Sequence, residues 1–171
     1  MYPRALRPFY EGWANYQSLV IAAIRDLSPD ALELRSAPQQ WAVWQLAAHI
    51  AGTRAYWFHD VLREGDASIS DMFRVAHTTV PDLPLDEAGW EDAADQPRDA
   101  AELVDALTRT WDLVDACLRR WTPEDLEQPF ERRGQTDQRG WVVWHVMEHD
   151  VHHGGEISQI LGSNGLPSVD I

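Results

Sequence analysis

Trp41-Ala42-Val43-Trp44-Gln45-Leu46-Ala47-Ala48-His49 returns a hundred residues later, in the same register, as Trp141-Val142-Val143-Trp144-His145-Val146-Met147-Glu148-His149. Two tryptophans, a valine, an aliphatic residue and a histidine match position for position. Unrelated segments do not readily share such a pattern by chance, so the chain reads as two related halves. Related halves place matching segments in comparable surroundings, and His49 and His149 are therefore expected to face one central space. The second copy adds His152 and His153 about one helical turn further on.

The likeness extends on either side of the motif. Pro8 to Leu27 carries Trp13, Tyr16, Leu19, Val20, Ala23, Ile24 and Leu27 at spacings of three and four, the signature of a helix with one buried face. Asp99 to Trp121 repeats the pattern with Leu103, Ala106, Leu107, Thr110, Leu113, Val114, Cys117 and Leu118. After the first stretch comes Ser28-Pro29-Asp30-Ala31-Leu32, and after the second Thr122-Pro123-Glu124-Asp125-Leu126. Both read as a capping hydroxyl, a proline in the first turn and an acid close behind, which starts a new helix.

Each half is thus a long helix, a capped short helix, a polar loop and the histidine-bearing helix. The halves cover roughly residues 5 to 64 and 98 to 162. Neither half has a strand pattern, and neither is large enough to hide its apolar face alone. The expected fold is all-α, a four-helix bundle forming a single domain over residues 1–171. Gly65 to Pro97, rich in Asp, Pro, Ser and Thr, is a long connection of the kind needed when the second and third helices are not joined as a hairpin. Short helical pieces are expected in it at Ser70 to Val75 and Asp86 to Ala94. Gly162-Ser163-Asn164-Gly165-Leu166-Pro167 stops the last helix.

Composition narrows the function classes. The 171 residues include nine tryptophans, which suit a broad aromatic core or an aromatic-lined cavity. A formal charge of −14 with no compensating basic cluster disfavours nucleic acid as a partner. The single cysteine, Cys117, excludes an intrachain disulfide and in its helical setting reads as a buried, inert thiol. The first dozen residues lack the apolar segment of a secretory signal, and Leu19 to Ile24 is too short to span a bilayer. A cytoplasmic protein with no membrane partner is the expectation.

On a helical wheel His145, His149, His152, His153 and Glu156 share one face, and the first copy presents Gln45, His49, Thr53 and Tyr56 on the matching face. Trp44 and Trp144 lie well off these faces and are expected to pack against neighbouring helices. Two histidines at i and i+4 supply two nitrogens to a first-row divalent ion, each at about 2 Å. His149 with His153 satisfies this spacing, and so does His145 with His149; the repeat fixes only His49 and His149. Three protein ligands leave a coordination position open for water or substrate. Glu11, Asp112 and Asp115 on the other long helices are candidates to orient an imidazole or serve as a base. His59 and His77 have no partner pattern.

At His149-Asp150-Val151-His152-His153-Gly154-Gly155-Glu156-Ile157 the chain resembles the DinB-like (DinB/YfiT-like) metalloenzyme superfamily. The resemblance implies an up-down-down-up four-helix bundle with a long connection between helices 2 and 3. It implies a three-histidine divalent metal site, zinc or nickel, at His49, His149 and His153. His145, His152 and Glu156 then become candidates for acid–base or supporting roles. Tyr56, Thr53 and Gln45, by their facing, become candidates to line a substrate pocket. Relatives often carry Arg and Gln where this chain has Gly154 and Glu156, which removes a cation of use to an anionic substrate. The activities implied are S-transfer with a low-molecular-weight thiol, in which a metal lowers the thiol pKa, or metal-dependent hydrolysis. A non-catalytic metal-binding bundle is the alternative, and a homodimer acting on a small-molecule substrate is expected.

Overall fold

Four long helices form where apolar residues recur every three or four positions. The computed structural model describes residues 2–73 and 89–169. Helix α1 spans Arg7–Ile24, α3 Val43–Arg54, α5 Ala100–Arg120 and α7 Arg139–Ser163. Two short helices, α2 (Pro29–Leu32) and α6 (Pro123–Leu126), follow α1 and α5. Their caps are those the sequence announces: Ser28 accepts from the Ala31 N–H and Thr122 from the Asp125 N–H.

The long helices run up, down, down and up, as cross-helix contacts along the bundle show. Gln17 of α1 bonds the Leu107 carbonyl while Tyr2, before α1, reaches Asp115, so α1 and α5 are antiparallel. Arg54 meets Leu107, whereas Phe58 further along stacks on Trp121, so the second and third long helices are parallel. His49 meets His153 and Trp57 meets Trp141, which makes α3 and α7 antiparallel. Parallel neighbours cannot be joined by a tight turn, and the long connection is the physical consequence. It carries α4 (Ser68–Asp71) and a 3₁₀ turn, Trp90–Asp92. These are shorter than the expected helical pieces, whose residues 74–75 and 86–88, together with His77, lie outside the described residues.

Three features depart from the sequence reading. The loop after α6 is a two-stranded antiparallel hairpin, β1 (Pro129–Arg132) and β2 (Gln135–Gln138). Arg133 and Gly134 turn it with φ of 50° and 77°, the left-handed pair of a tight hairpin. The corresponding loop of the first half keeps a single bridge, Arg35 to Ala42. Second, α3 does not end at Arg54 but continues as a π-helical stretch, Ala55–Val61, with the Leu62 N–H reaching back five residues to Trp57. Third, the repeated tryptophans diverge. Trp44 is 1% exposed but Trp144 is 55% exposed. Helix α3 packs on α5, on α7 and on the 3₁₀ turn of the connection, whereas α7 packs mainly on α3, with lesser contact to α1 and α6. The outer face of α7 has no comparable cover among the described residues.

The core is two apolar clusters, one at each end of the bundle. Between them lies a buried polar layer. Arg54 of α3, wholly buried, donates to the Asp150 carboxylate of α7 at 2.7 and 2.9 Å, to Gln17 Oε1 at 2.5 Å and to the Leu107 carbonyl of α5 at 3.3 Å. The Trp13 indole N–H of α1 adds a bond to Asp150 at 2.7 Å. All four long helices contribute to this layer.

Candidate metal centre

The imidazoles of His49, His149 and His153 converge where α3 and α7 face each other. One ring nitrogen of each lies within 4.8 Å of the other two. Nε2 of His49 and Nε2 of His149 are 2.9 Å apart, and the ring centroids are separated by 4.4 to 5.0 Å. Helix α7 supplies two rings because positions four apart stack on one face. The third comes from α3 because the halves are related.

Protonation is arranged to suit a cation. His49 Nδ1 donates to Glu91 Oε1 at 2.6 Å, and His153 Nδ1 donates to Glu156 Oε2 at 2.6 Å. A carboxylate on Nδ1 holds the proton there and leaves Nε2 with its lone pair, the second-sphere arrangement of metal-ligating histidines. Burial lowers the pKa of His149 to about 2, with His49, His153, His145 and Arg54 pushing the same way. Burial lowers that of His153 as well, with Glu156 opposing. Three converging imidazole nitrogens are a donor set that fits a divalent ion. His149 Nδ1 is buried with no hydrogen-bond partner among the described residues, so this ring is held by packing and by Thr53 Oγ1, 3.3 Å from its Nε2.

Glu91 carries no sequence signal. It sits in the 3₁₀ turn of the long connection, buried, with its second oxygen against Gly89, where any Cβ would collide with the carboxylate. Gln45 locks that turn in place. Expected from its facing to line a pocket, Gln45 is instead buried in structural bonds: it accepts from the Ala42 N–H and from Arg35, and donates to the Glu91 carbonyl. This caps the start of α3, whose Ala42 has no side chain able to do so.

The remaining sequence candidates are dispersed. Thr53 touches His149, whereas the Tyr56 hydroxyl accepts from Arg132 Nε at 3.0 Å and the ring flanks Trp57. His145 stacks on Trp141, rings 4.8 Å apart, with its centroid 6.2 Å from that of His149. His152 is exposed, its Nε2 3.9 Å from Glu156. Asp115 is engaged by Tyr2 and Arg119 on the α1–α5 side, and Glu11 and Asp112 are exposed; none of the three bonds a clustered ring. His59 donates to the Glu64 carbonyl. Gly154 faces Tyr16 of α1, whose hydroxyl a Cβ would strike. An arginine at 154 would therefore point at α1 and not at the rings. Trp41, unassigned in the sequence reading, lies 4.6 Å from the His49 ring and 6.1 Å from that of His153.

Comparison with known proteins agrees with this fold. The family model of the DinB superfamily matches residues 10–157. The crystal structure of a DinB-like protein from Bacillus cereus ATCC 10987 is similar, with a TM-score of 0.66 at 17% identity over 97% of this chain and 96% of that one. The crystal structure of a conserved protein from Enterococcus faecalis gives a TM-score of 0.71 at 15% identity, covering 94% and 99%. At such identities the likeness is one of fold alone. No curated protein matches the sequence.

Proposed function

The chain belongs to the DinB superfamily, and from that membership and the histidine cluster we propose a metal-dependent enzyme that activates a low-molecular-weight thiol for S-transfer to a small electrophile. One observation carries the metal reading: two of three converging imidazoles have Nδ1 committed to a carboxylate, so their Nε2 lone pairs remain for an ion. His49, His149 and His153 hold it. The ion supplies a Lewis acid that makes a thiol ionise at neutral pH. Glu91 and Glu156 orient two of the rings, and packing together with Thr53 fixes the third.

Thiol chemistry is preferred to hydrolysis by what surrounds the rings. Activating a water is helped by a general base, whereas the adjacent carboxylates each have one oxygen engaged by an imidazole N–H, and His145 is stacked on Trp141. A thiol, far more acidic than water, needs no such base.

The test begins with untagged protein dialysed against Zn²⁺ or Ni²⁺ and measured by elemental analysis. About one equivalent is expected, falling sharply in His49→Ala and His153→Ala. A ligand a hundredfold above its Kd stabilises a fold by about 2.7 kcal/mol, so metal should also raise Tm in the wild type only. Loss of a thiol-plus-electrophile turnover in His149→Ala would establish catalysis. Metal content of a few per cent in the wild type would end the proposal.

A further inference from the structure

A cavity of about 300 Å³ opens beside the histidine cluster, and neither the repeat nor the helix faces pointed to it. His153 and Glu156 form one wall, Trp41 a second, and Ser36, Gln39 and Gln40 of the loop before α3 a third. The histidine and the carboxylate that holds it are thus also cavity walls. Trp41 links the two spaces, since its ring lies against both His49 and His153.

The charge around this cavity is one-sided. No arginine is among its lining residues, and the chain contains no lysine. A divalent ion on three neutral imidazoles brings two positive charges. Glu91 and Glu156, each bonded to a ligating ring, bring two negative ones. Among the described residues the nearest further cation is Arg35, on the same loop, which is already bonded to the Gln40 carbonyl, Gln45 and Glu33.

We propose that this cavity is the substrate pocket and that it selects an uncharged, hydrogen-bonding thiol over an anionic one. This rests on the metal reading above and adds the substrate's charge class. Gln39, Gln40 and Ser36 bring amide and hydroxyl groups suited to a neutral polar ligand, and Trp41 covers its apolar side. Glu156 is the one carboxylate among the described lining residues, and it repels a carboxylate on the ligand in a chain of net charge −14. A like charge about 5 Å away in a solvent-touched site weakens binding by roughly fivefold.

N-acetylcysteine amide and N-acetylcysteine make a matched pair, differing in one amide against one carboxylate. Their affinities for the zinc-loaded protein are to be measured by isothermal titration calorimetry at neutral pH. The amide is expected to bind about fivefold or more tightly. Glu156→Gln, which keeps an acceptor for His153 while removing the charge, should bring the ratio toward one, and Gln39→Arg on the exposed loop should reverse it. Equal affinities, a tighter acid, or no binding of either thiol to protein that holds zinc would overturn the pocket and leave the metal site standing. Failure to hold zinc would instead remove both.

Discussion

Burial and its neighbouring rings weigh against protonation of His149, and that bears on stability. In the unfolded chain a histidine titrates near 6.5, whereas in the folded protein burial and the neighbouring rings hold His149 at about 2. Between these values the unfolded chain binds the extra proton, so stability is complete above about pH 6.5 and declines as pH falls. With allowance for partial solvent contact, the loss is about 1 kcal/mol per pH unit. Urea unfolding of chelator-treated protein between pH 7.5 and 5 should show this slope, and His149→Ala should make it shallower, leaving the share of His145 and His153, whose pKa values burial also lowers. A wild-type midpoint unchanged across that range would contradict the assigned environment. The convergence of His49 with His149 was legible because two halves repeat one motif. The partners of the rings were legible only in part. Glu156 lies one turn from His153 on the same helix, whereas Glu91 sits 42 residues from His49 in a segment without periodicity, and spacing says nothing about such a pair.

The elements that carry these residues differ in how strongly local sequence specifies them. The long helices and the two capped short helices follow from periodicity and from Ser28-Pro29 and Thr122-Pro123, where side-chain chemistry and backbone conformation agree. The hairpin at 129–138 escaped because Arg133-Gly134 lacks the Asn or Asp that usually marks such a turn, and because its strands are short and mostly exposed. The exposure of Trp144 escaped for another reason: a repeat predicts equivalent neighbours only where the intervening segments are also equivalent. The connection covers α3 and gives it the 3₁₀ turn, so that turn is an element with a definite task. Gly89→Ala tests it without altering any ligand. The added Cβ collides with the Glu91 carboxylate, the flexible end of a side chain, and should swing it off His49 at little cost to folding. Zinc affinity should fall by about tenfold or more, as when the partner of a ligating histidine is lost. An unchanged Kd would mean that Glu91 does not hold the ring in the working protein.

Taken whole, the bundle joins its halves twice at one level, through the histidine cluster between α3 and α7 and through the polar layer beneath it. Sequence pattern leads to the first and hides the second, since Arg54 and Asp150 look like the charged residues that ordinarily face water. Asp150 directly follows His149, and Arg54 follows Thr53, the residue touching that ring. The same stretches of α3 and α7 therefore point one side chain at the rings and the next into the core. Joining the apolar clusters through a buried ion pair favours one helix register, because Arg54 and Trp13 converge on a single oxygen of Asp150, Oδ2, and slipping the helices would break those bonds. Removing one partner leaves the other charge buried, which costs about 3–5 kcal/mol. Asp150→Ala and Arg54→Met should each lose that much in urea unfolding. The double replacement Arg54→Met/Asp150→Leu should cost far less than their sum, since it removes both charges and leaves Gln17 its bond to the Leu107 carbonyl. Because the pair sets helix register at the level of the rings, the double variant is also expected to hold zinc more weakly even where its stability recovers. Additive stability losses, or wild-type zinc affinity in the double variant, would show that the ion pair neither couples the helices nor positions the cluster.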